Sequence, residues 1–342
     1  MKKEKYNVAV VGATGMVGET IIDILAQRDF PVNQLQPLAS VQSVGKSVDF
    51  KGLSVPVSVL DDHDFSATDI AFFSAGASVS AEHVPRAASA NSIVIDNTSE
   101  FRREEDIPLV VPEVNPELIA HYKNRGIIAN PNCSTIQMVM VLKPIHDAVG
   151  IERINVSTYQ AVSGAGRTAV KRLAEETATL LNGRPLEAIG DNQKQIAFNT
   201  VPHIDTFQSN GYTREEMKMV WETRKILADE NIQVNPTAVR IPVFIGHSES
   251  IHIETRKKLD INHARKLLEA FPGVELLDEA KSGGYPTPVT DASGSDDVYV
   301  GRVREDISHP RGINLWVVAD NIRKGAALNS IQIAEVLLRD YL

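Results

Sequence analysis

Residues 7–25 restrict the fold more than any other stretch of the chain. Residues 7–11 (Asn-Val-Ala-Val-Val) form a short β-branched run suited to a buried strand. They lead directly into Gly12-Ala13-Thr14-Gly15-Met16-Val17-Gly18, and Val17, Thr20, Ile21, Ile24 and Leu25 then recur at helical spacing. Strand, glycine turn and helix in this order suit a dinucleotide-binding unit. There Gly12 permits the tight turn, Gly15 lets the backbone approach a pyrophosphate, and Gly18 lets the helix pack on the strand. The helix N-terminus then offers N–H groups to the phosphates. Three glycines alone would also serve a plain tight turn; the flanking strand and helix favour the nucleotide.

Residues 34–39 predict the next strand, which ends at Ser40. An NAD-selective site usually places an acid there for the ribose 2′-hydroxyl. Here the loop reads Ser40-Val41-Gln42-Ser43-Val44-Gly45-Lys46. Lacking an acid and carrying a lysine, it better suits a 2′-phosphate and points to NADP; Lys46 is otherwise an ordinary solvated residue. Residues 69–74 predict another apolar strand that ends in Ser74-Ala75-Gly76, and ligands bind outside such strand ends. Residues 93–96, 109–111 and 127–129 read as later strands of the same sheet. The first domain therefore spans 1–131.

The pattern changes after residue 151. Residues 153–159 alternate, with Ile154, Val156 and Thr158 on one face, as in a half-exposed strand. A helix is expected over 168–181. Another opens at Thr213, which caps it while Glu216 closes a capping box. Residues 239–245, 250–255, 297–303 and 314–320 read as strands. Strands and helices without βαβ alternation suggest an α+β domain over 132–324 with a mainly antiparallel sheet. The helical segment 325–342 is expected to pack back on the first domain.

A chain of 342 residues accommodates two such domains, and 43% hydrophobic with 23% charged residues is ordinary for a soluble protein. A formal charge of −9 argues against a nucleic-acid or anionic-membrane partner. No apolar run approaches the roughly 20 residues that span a bilayer. The basic start Met1-Lys2-Lys3-Glu4-Lys5 is not followed by an unbroken apolar run or a cleavage site, so no targeting segment is expected. A single cysteine excludes an intrachain disulfide and a Cys-rich zinc site; no metal is expected, and a reducing cytoplasm fits.

That cysteine, Cys133, lies in Asn130-Pro131-Asn132-Cys133-Ser134-Thr135, just before the helical spacing of Ile136, Val139, Met140 and Leu142. A thiol at a helix N-terminus is drawn toward thiolate, although a lone cysteine is as often a small buried hydrophobe. At a pKa of ~8.5 only a few per cent is ionised at pH 7, a deficit of about 2 kcal/mol. An exposed helix terminus supplies roughly 0.3–1 kcal/mol of that, so an acid/base partner is needed. Among nine histidines, His247 stands out, behind an apolar run that carries Arg240 and after Gly246. A nicotinamide site, a thiol and a histidine together imply aldehyde oxidation through a thiohemiacetal and an acyl-thioester. Release by phosphate would need basic side chains, for which Arg102 and Lys218 are candidates.

The chain resembles the aspartate-β-semialdehyde dehydrogenase family along nearly its whole length. The resemblance rests on Gly-Ala-Thr-Gly-Met-Val-Gly at 12–18, Asp-Asn-Thr-Ser at 96–99, Val-Pro-Glu-Val-Asn at 111–115 and Pro-Asn-Cys-Ser-Thr at 131–135. It continues in Ser-Thr-Tyr-Gln-Ala-Val-Ser-Gly-Ala-Gly at 157–166, Glu-Glu-Met-Lys at 215–218, Arg-Ile-Pro-Val at 240–243, Gly-His-Ser-Glu-Ser at 246–250 and Lys-Gly-Ala-Ala-Leu-Asn at 324–329. It implies an α/β fold: an N-terminal Rossmann-like dinucleotide-binding domain, completed by 325–342, and a C-terminal α+β catalytic and dimerisation domain.

The resemblance also implies roles. Cys133 is the nucleophile, His247 the acid/base, and Gln160 orients the substrate. Arg240 grips the substrate α-carboxylate, Glu215 reads its amino group, and Arg102 with Lys218 binds phosphate. Asn132 and the backbone around Cys133 serve the oxyanion. Ser163, Gly164 and Asn321 join 12–18, Ser40, Gln42, Ser43 and 74–76 in holding the cofactor. The family is NADP-dependent and usually dimeric, with a dimer of dimers as an extension. It makes aspartate semialdehyde from aspartyl phosphate toward lysine (through diaminopimelate), threonine and methionine. One position departs from the family: Gln42 stands where members commonly carry an arginine for the 2′-phosphate, which leaves NAD open. N-acetyl-γ-glutamyl-phosphate reductase shares the fold and the Cys/His pair, but an acetylated nitrogen offers Glu215 no charge. A non-catalytic nucleotide-binding homologue would have lost some of Cys133, Gln160, Arg240 and His247.

Overall fold

The computed structural model describes residues 3–186 and 194–342; Met1 and Lys2, the start of the basic run, lie outside them. The chain divides into two compact units, Met1–Cys133 with Gly325–Leu342, and Ser134–Lys324. The division thus falls two residues beyond the boundary at 131 expected from sequence. Among the described residues no helix is long and apolar enough to cross a membrane.

The first unit is built from β1 (Tyr6–Val11), α1 (Met16–Gln27), β2 (Val32–Ala39), β3 (Ser47–Phe50), β4 (Leu53–Pro56), β5 (Ser58–Val59), β6 (Ile70–Phe73), α2 (Ala77–Ser89), β7 (Ile93–Asp96) and β8 (Ile127–Ala129). Six strands form one parallel sheet in the order β5-β2-β1-β6-β7-β8. The order reverses at β1, so its C-terminal end opens a crevice of the kind that takes ligands. From Val8 to Val11, β1 is apolar and buried on both faces. Ile21, Ile24 and Leu25 of α1 pack with Val8, Val10 and Phe72 and with Ile331, Ala334 and Leu337 of the C-terminal helix. Each of these side chains larger than alanine contributes roughly 1.5–3 kcal/mol on burial.

Residues 109–111, expected as a strand, make only one bridge, Leu109 to Ala129. Pro108 and Pro112 flank them and cannot donate to a ladder. The hairpin of β3 and β4 was not expected; Lys51 (φ 53°) and Gly52 (φ 80°) both take positive φ in its two-residue turn.

The second unit contains α3 (Cys133–Val149) beyond its first residue, then β9 (Ile151–Gln160), α4 (Arg167–Leu181), α5 (Arg214–Leu227), β10 (Gln233–Arg240), β11 (His247–Thr255), α6 (Ile261–Glu269), β12 (Val274–Leu276), β13 (Val298–Glu305) and β14 (Gly312–Ala319). The last helix, α7 (Leu328–Asp340), belongs to the first unit. The sheet runs β10-β9-β11-β14-β13-β12. Its three inner pairings are antiparallel, and only the edge pairings, β10 on β9 and β12 on β13, are parallel, so the sheet is mainly antiparallel as expected. β9 alternates as its sequence predicts, burying Ile154, Val156 and Thr158.

The strand expected over 239–245 is not formed. β10 stops at Arg240, residues 241–246 leave the sheet around Pro242, and His247 opens β11. Gly246 (φ 96°) makes that entry, and a Cβ there would lie 2.7 Å from the Pro288 carbonyl oxygen. Register then sets Arg240 beside Gln160, and Ser248 beside Tyr159. Gln160, Arg240 and His247 therefore meet at one end of the sheet.

Candidate active site

The glycine turn has the shape of a phosphate cradle. Gly12 (φ 85°) turns β1 toward α1, and a Cβ on it would lie 2.9 Å from Ser74 Oγ. A Cβ on Gly18 would lie 2.2 Å from the Gly12 carbonyl oxygen, so only glycine lets α1 pack this closely. Gly15 caps α1 without a side-chain hydrogen bond, which leaves first-turn N–H groups for an anion. Ala13, Thr14, Met16 and Val17 complete this turn, and Thr14 Oγ1 lies 3.2 Å from Ser43 Oγ. Ser43 is buried in a 3-10 turn, whereas Ser40 and Gln42 are exposed beside it. Ser74 donates to the Val11 carbonyl (2.9 Å) and leads through Ala75 to Gly76 (φ 102°), the cap of α2. The loops after β1, β2 and β6 thus gather at one sheet edge, where bare backbone faces outward.

Also in the first unit, Arg102 is buried. It donates from Nε to the Asn130 carbonyl and from Nη2 to the Asn97 carbonyl, both at 2.8 Å. Asn132 is buried next to half-buried Cys133, the first residue of α3.

In the second unit one continuous hydrogen-bond chain links Gln160, Glu215 and Lys218. Gln160 Nε2 faces Ser134 Oγ (3.1 Å), Thr158 Oγ1 (3.3 Å) and Glu215 Oε1 (3.2 Å). Lys218 Nζ donates to Glu215 Oε2 and to Asp205 Oδ2, each at 2.9 Å. Ser134 follows Cys133 in α3, so the chain ends one residue from the thiol. Glu215 and Lys218 share a side of α5, being three residues apart. Thr213 caps that helix in a full capping box, and Glu216 also accepts the Ala238 N–H of β10 at 2.9 Å, fixing helix to strand. Burial opposes the charge on Lys218, but the carboxylates of Glu215 and Asp205 outweigh it and hold its pKa above the ordinary value.

Ala161 orients two side chains through its backbone. Its N–H donates to His247 Nδ1 (3.0 Å), and its carbonyl accepts from Arg240 Nη1 (2.7 Å). A backbone N–H can only donate, so Nδ1 is the acceptor and the neutral ring carries its proton on Nε2. That Nε2 is fully buried and, among the described residues, meets no hydrogen-bond partner. Burial first, then the Arg240 charge, push the imidazole down to about 3 against the pull of Glu215 and a backbone contact with Gly246. The site thus offers a desolvated donor awaiting an acceptor.

Ser163, Gly164 and Asn321, expected at the cofactor, belong to this unit and cluster with the same residues. A Cβ on Gly164 would lie 3.2 Å from Arg240 Nη1 and 3.3 Å from His247 Nε2, so its bare Cα keeps that space open. Asn321 meets Ser163 Oγ (2.9 Å) and accepts the Gly246 N–H (2.9 Å), which steadies the entry to His247.

Glu249, two residues after His247 on the same face of β11, is fully buried. Gln137 of α3 approaches it, but neither Glu249 oxygen reaches full hydrogen-bond geometry. Burial therefore raises its pKa well above the ordinary value, despite Gln137, and the folded state keeps it protonated. The unfolded chain releases that proton above ~4.3, so stability is lost as pH rises past that point, by at most about 1.4 kcal/mol per pH unit. Glu249→Gln keeps the shape without the proton. Its gain in urea-unfolding free energy over the parent is expected to grow from pH 5 to pH 8; a gain that does not vary with pH would mean that Glu249 is ionised in the fold.

Sequence reading missed the Ala161 peptide, Ser134, Asp205 and Glu249. Only Glu249 left a signal, its even spacing from His247 in an alternating strand. Among the described residues no group of three His, Cys, Asp or Glu side chains is placed to hold a metal.

The family models described as semialdehyde dehydrogenase, NAD binding domain, and semialdehyde dehydrogenase, dimerisation domain, match residues 7–122 and 142–324. A protein of Shewanella sp. (strain DB6705) named aspartate-semialdehyde dehydrogenase is 59% identical over 338 residues, 99% of each chain. The crystal structure of aspartate semialdehyde dehydrogenase II from Vibrio cholerae, complexed with ASA, gives a TM-score of 0.96 at 58% identity, over 99% of this chain and 100% of that one. The aspartate semialdehyde dehydrogenase of Candida albicans, solved with NADP, gives 0.75 at 26% identity, over 97% and 98%. Its sequence and its fold together make this chain a member of the aspartate-semialdehyde dehydrogenase family.

Proposed function

We propose that this chain catalyses the reversible NADPH-dependent reductive dephosphorylation of L-aspartyl 4-phosphate to L-aspartate 4-semialdehyde and phosphate, on the route to lysine, threonine and methionine. The observation that carries the reading is the Ala161 peptide, which sets a desolvated donor and an arginine side by side next to the Gln160–Glu215–Lys218 chain.

The nicotinamide cofactor, when bound, supplies the hydride transfer. The Cys133 thiolate attacks the acyl phosphate and expels phosphate, which leaves a thioester; addition of hydride converts that to the aldehyde and frees the thiolate. In reverse the thiolate adds to the aldehyde, loss of hydride gives the thioester, and phosphate resolves it. Arg240 takes the substrate α-carboxylate in its planar fork. Glu215 takes the ammonium, Gln160 holds Glu215 and Ser134 in register, and Lys218 with Arg102 takes the phosphate. His247 serves as the acid: its Nε2–H meets oxygen as charge develops there, together with Asn132 and the backbone N–H groups at the head of α3. A substrate with an acetylated nitrogen would bring Glu215 no charge beyond that of Lys218.

We propose NADP as the cofactor, supported by the absence of an acid after β2 and by the Candida relative solved with NADP. Gln42 brings a hydrogen bond but no charge to a 2′-phosphate, so discrimination against NAD is modest. We propose a homodimer in the cytoplasm, joined through the half-exposed face of the second sheet, where Tyr159 and Trp316 pack with ring centroids 5.6 Å apart. An assay with aspartate semialdehyde, phosphate and either cofactor tests the reading. Reduction should require phosphate and favour NADP, and Gln42→Arg should widen the preference about tenfold, as expected for a charged hydrogen bond. Turnover without phosphate would reject the reaction, and equal kcat/KM with both cofactors would reject the NADP choice.

A further inference from the structure

The segment between Val201 and Thr213 is tied at both ends to elements that carry substrate residues. Val201 exchanges both backbone hydrogen bonds with Arg240 (2.9 and 2.8 Å), and Arg214, at the start of α5, donates to the Thr206 carbonyl (2.7 Å). Between these ties Asp205 takes φ 69°, a left-handed conformation that aspartate adopts more readily than most side chains. The turn aims Asp205 Oδ2 at Lys218 Nζ (2.9 Å), while Oδ1 accepts the Thr206 N–H (2.8 Å). Burial alone would favour the neutral acid, but Lys218, Thr206 and Arg214 outweigh it and hold Asp205 below the usual carboxylate range. Lys218 therefore stands between two carboxylates, Asp205 and Glu215, and the three groups together carry one negative charge.

Resting on the reading of Lys218 as a phosphate ligand, we infer that Asp205 is a positioning residue that competes with phosphate for Lys218 and so limits how tightly phosphate is held. Glu215 has a second duty toward the substrate ammonium. Asp205 is the carboxylate that can yield, since its side chain is 28% exposed against 8% for Glu215. An incoming phosphate takes the N–H that Asp205 releases, and returning Asp205 displaces phosphate when it is the product.

The test is a phosphate titration in the direction of semialdehyde oxidation, on the parent, Asp205→Asn, Asp205→Gly and Lys218→Met. Asn and Gly both tolerate the left-handed backbone, and only the charge is common to their loss. Both should lower the phosphate KM roughly 3- to 10-fold, the scale of one lost charge contact, with the semialdehyde and cofactor KM values within about twofold of the parent. In the reductive direction phosphate should inhibit both variants more strongly. An unchanged or raised phosphate KM in Asp205→Asn, with Lys218→Met raising it, would overturn the role of Asp205 alone. A fall in Asp205→Gly but not in Asp205→Asn would assign the effect to backbone strain and overturn it too. If Lys218→Met leaves the phosphate KM unchanged, the phosphate reading itself fails.

Discussion

Cys133→Ala is expected to abolish phosphate-dependent cofactor reduction, lowering kcat by about 10⁴-fold or more while leaving cofactor affinity and melting temperature near the parent's. The size follows from what is removed. The chain has one thiol, so no neighbour can take over the covalent step. What remains is binding and an oxyanion site with nothing to attack the acyl carbon. Alanine at a half-buried helix start removes one sulfur and introduces no strain, so stability should change by well under ~1 kcal/mol. Cofactor binding by fluorescence and single-turnover kinetics check the two halves separately. Turnover at a tenth of the parent's rate or more would exclude a thioester intermediate.

The second large effect separates two substitutions of one residue. A glutamine amide can place an N–H near where His247 Nε2 lies, whereas an asparagine amide reaches only the Nδ1 position. If His247 acts as a donor, His247→Asn should lose about 10²–10³-fold in kcat, the usual cost of one oxyanion donor. His247→Gln should lose only about tenfold. The pH profile of kcat should be the same in His247→Gln and the parent between pH 5 and 8, because an imidazole at about 3 does not titrate there. Had the ring instead drawn the proton from the thiol, glutamine would fail as badly as asparagine, and the alkylation rate of Cys133 would shift to higher pH. The same low pKa bears on stability. The unfolded imidazole takes up a proton near 6.5 and the folded one only near 3, so stability falls as pH drops between them, by at most about 1.4 kcal/mol per unit.

The parts of the molecule that were readable in advance are those that short-range chemistry dictates. The strand–Gly12–Gly15–Gly18–helix unit and the Thr213–Glu216 capping box are set by neighbours within a few residues. Arg240 and His247 were singled out from the sequence, but were placed on and behind one strand that does not exist. Pro242 breaks the ladder, and the resulting loop lets two strands present the pair at one sheet end. The β3–β4 hairpin hid because its turn is Lys51-Gly52, and lysine rarely signals positive φ. Asp205 had no signature: its partner is 13 residues away, and only the ties at Val201 and Thr206 bring it within reach. Ala161 could not be seen at all, because a backbone N–H and carbonyl are common to nearly every residue type.

The way Ala161 is used has a mechanical side. One peptide segment holds both the His247 ring and the Arg240 guanidinium, so a displacement of that segment carries the two in concert. Their errors of position are correlated, and the spacing between them is disturbed less than the place of either. In the roles proposed for Arg240 and His247, a substrate gripped at its carboxylate would be presented to the donor at a constant gauge, and fluctuation of the loop would shift the frame without changing the measure.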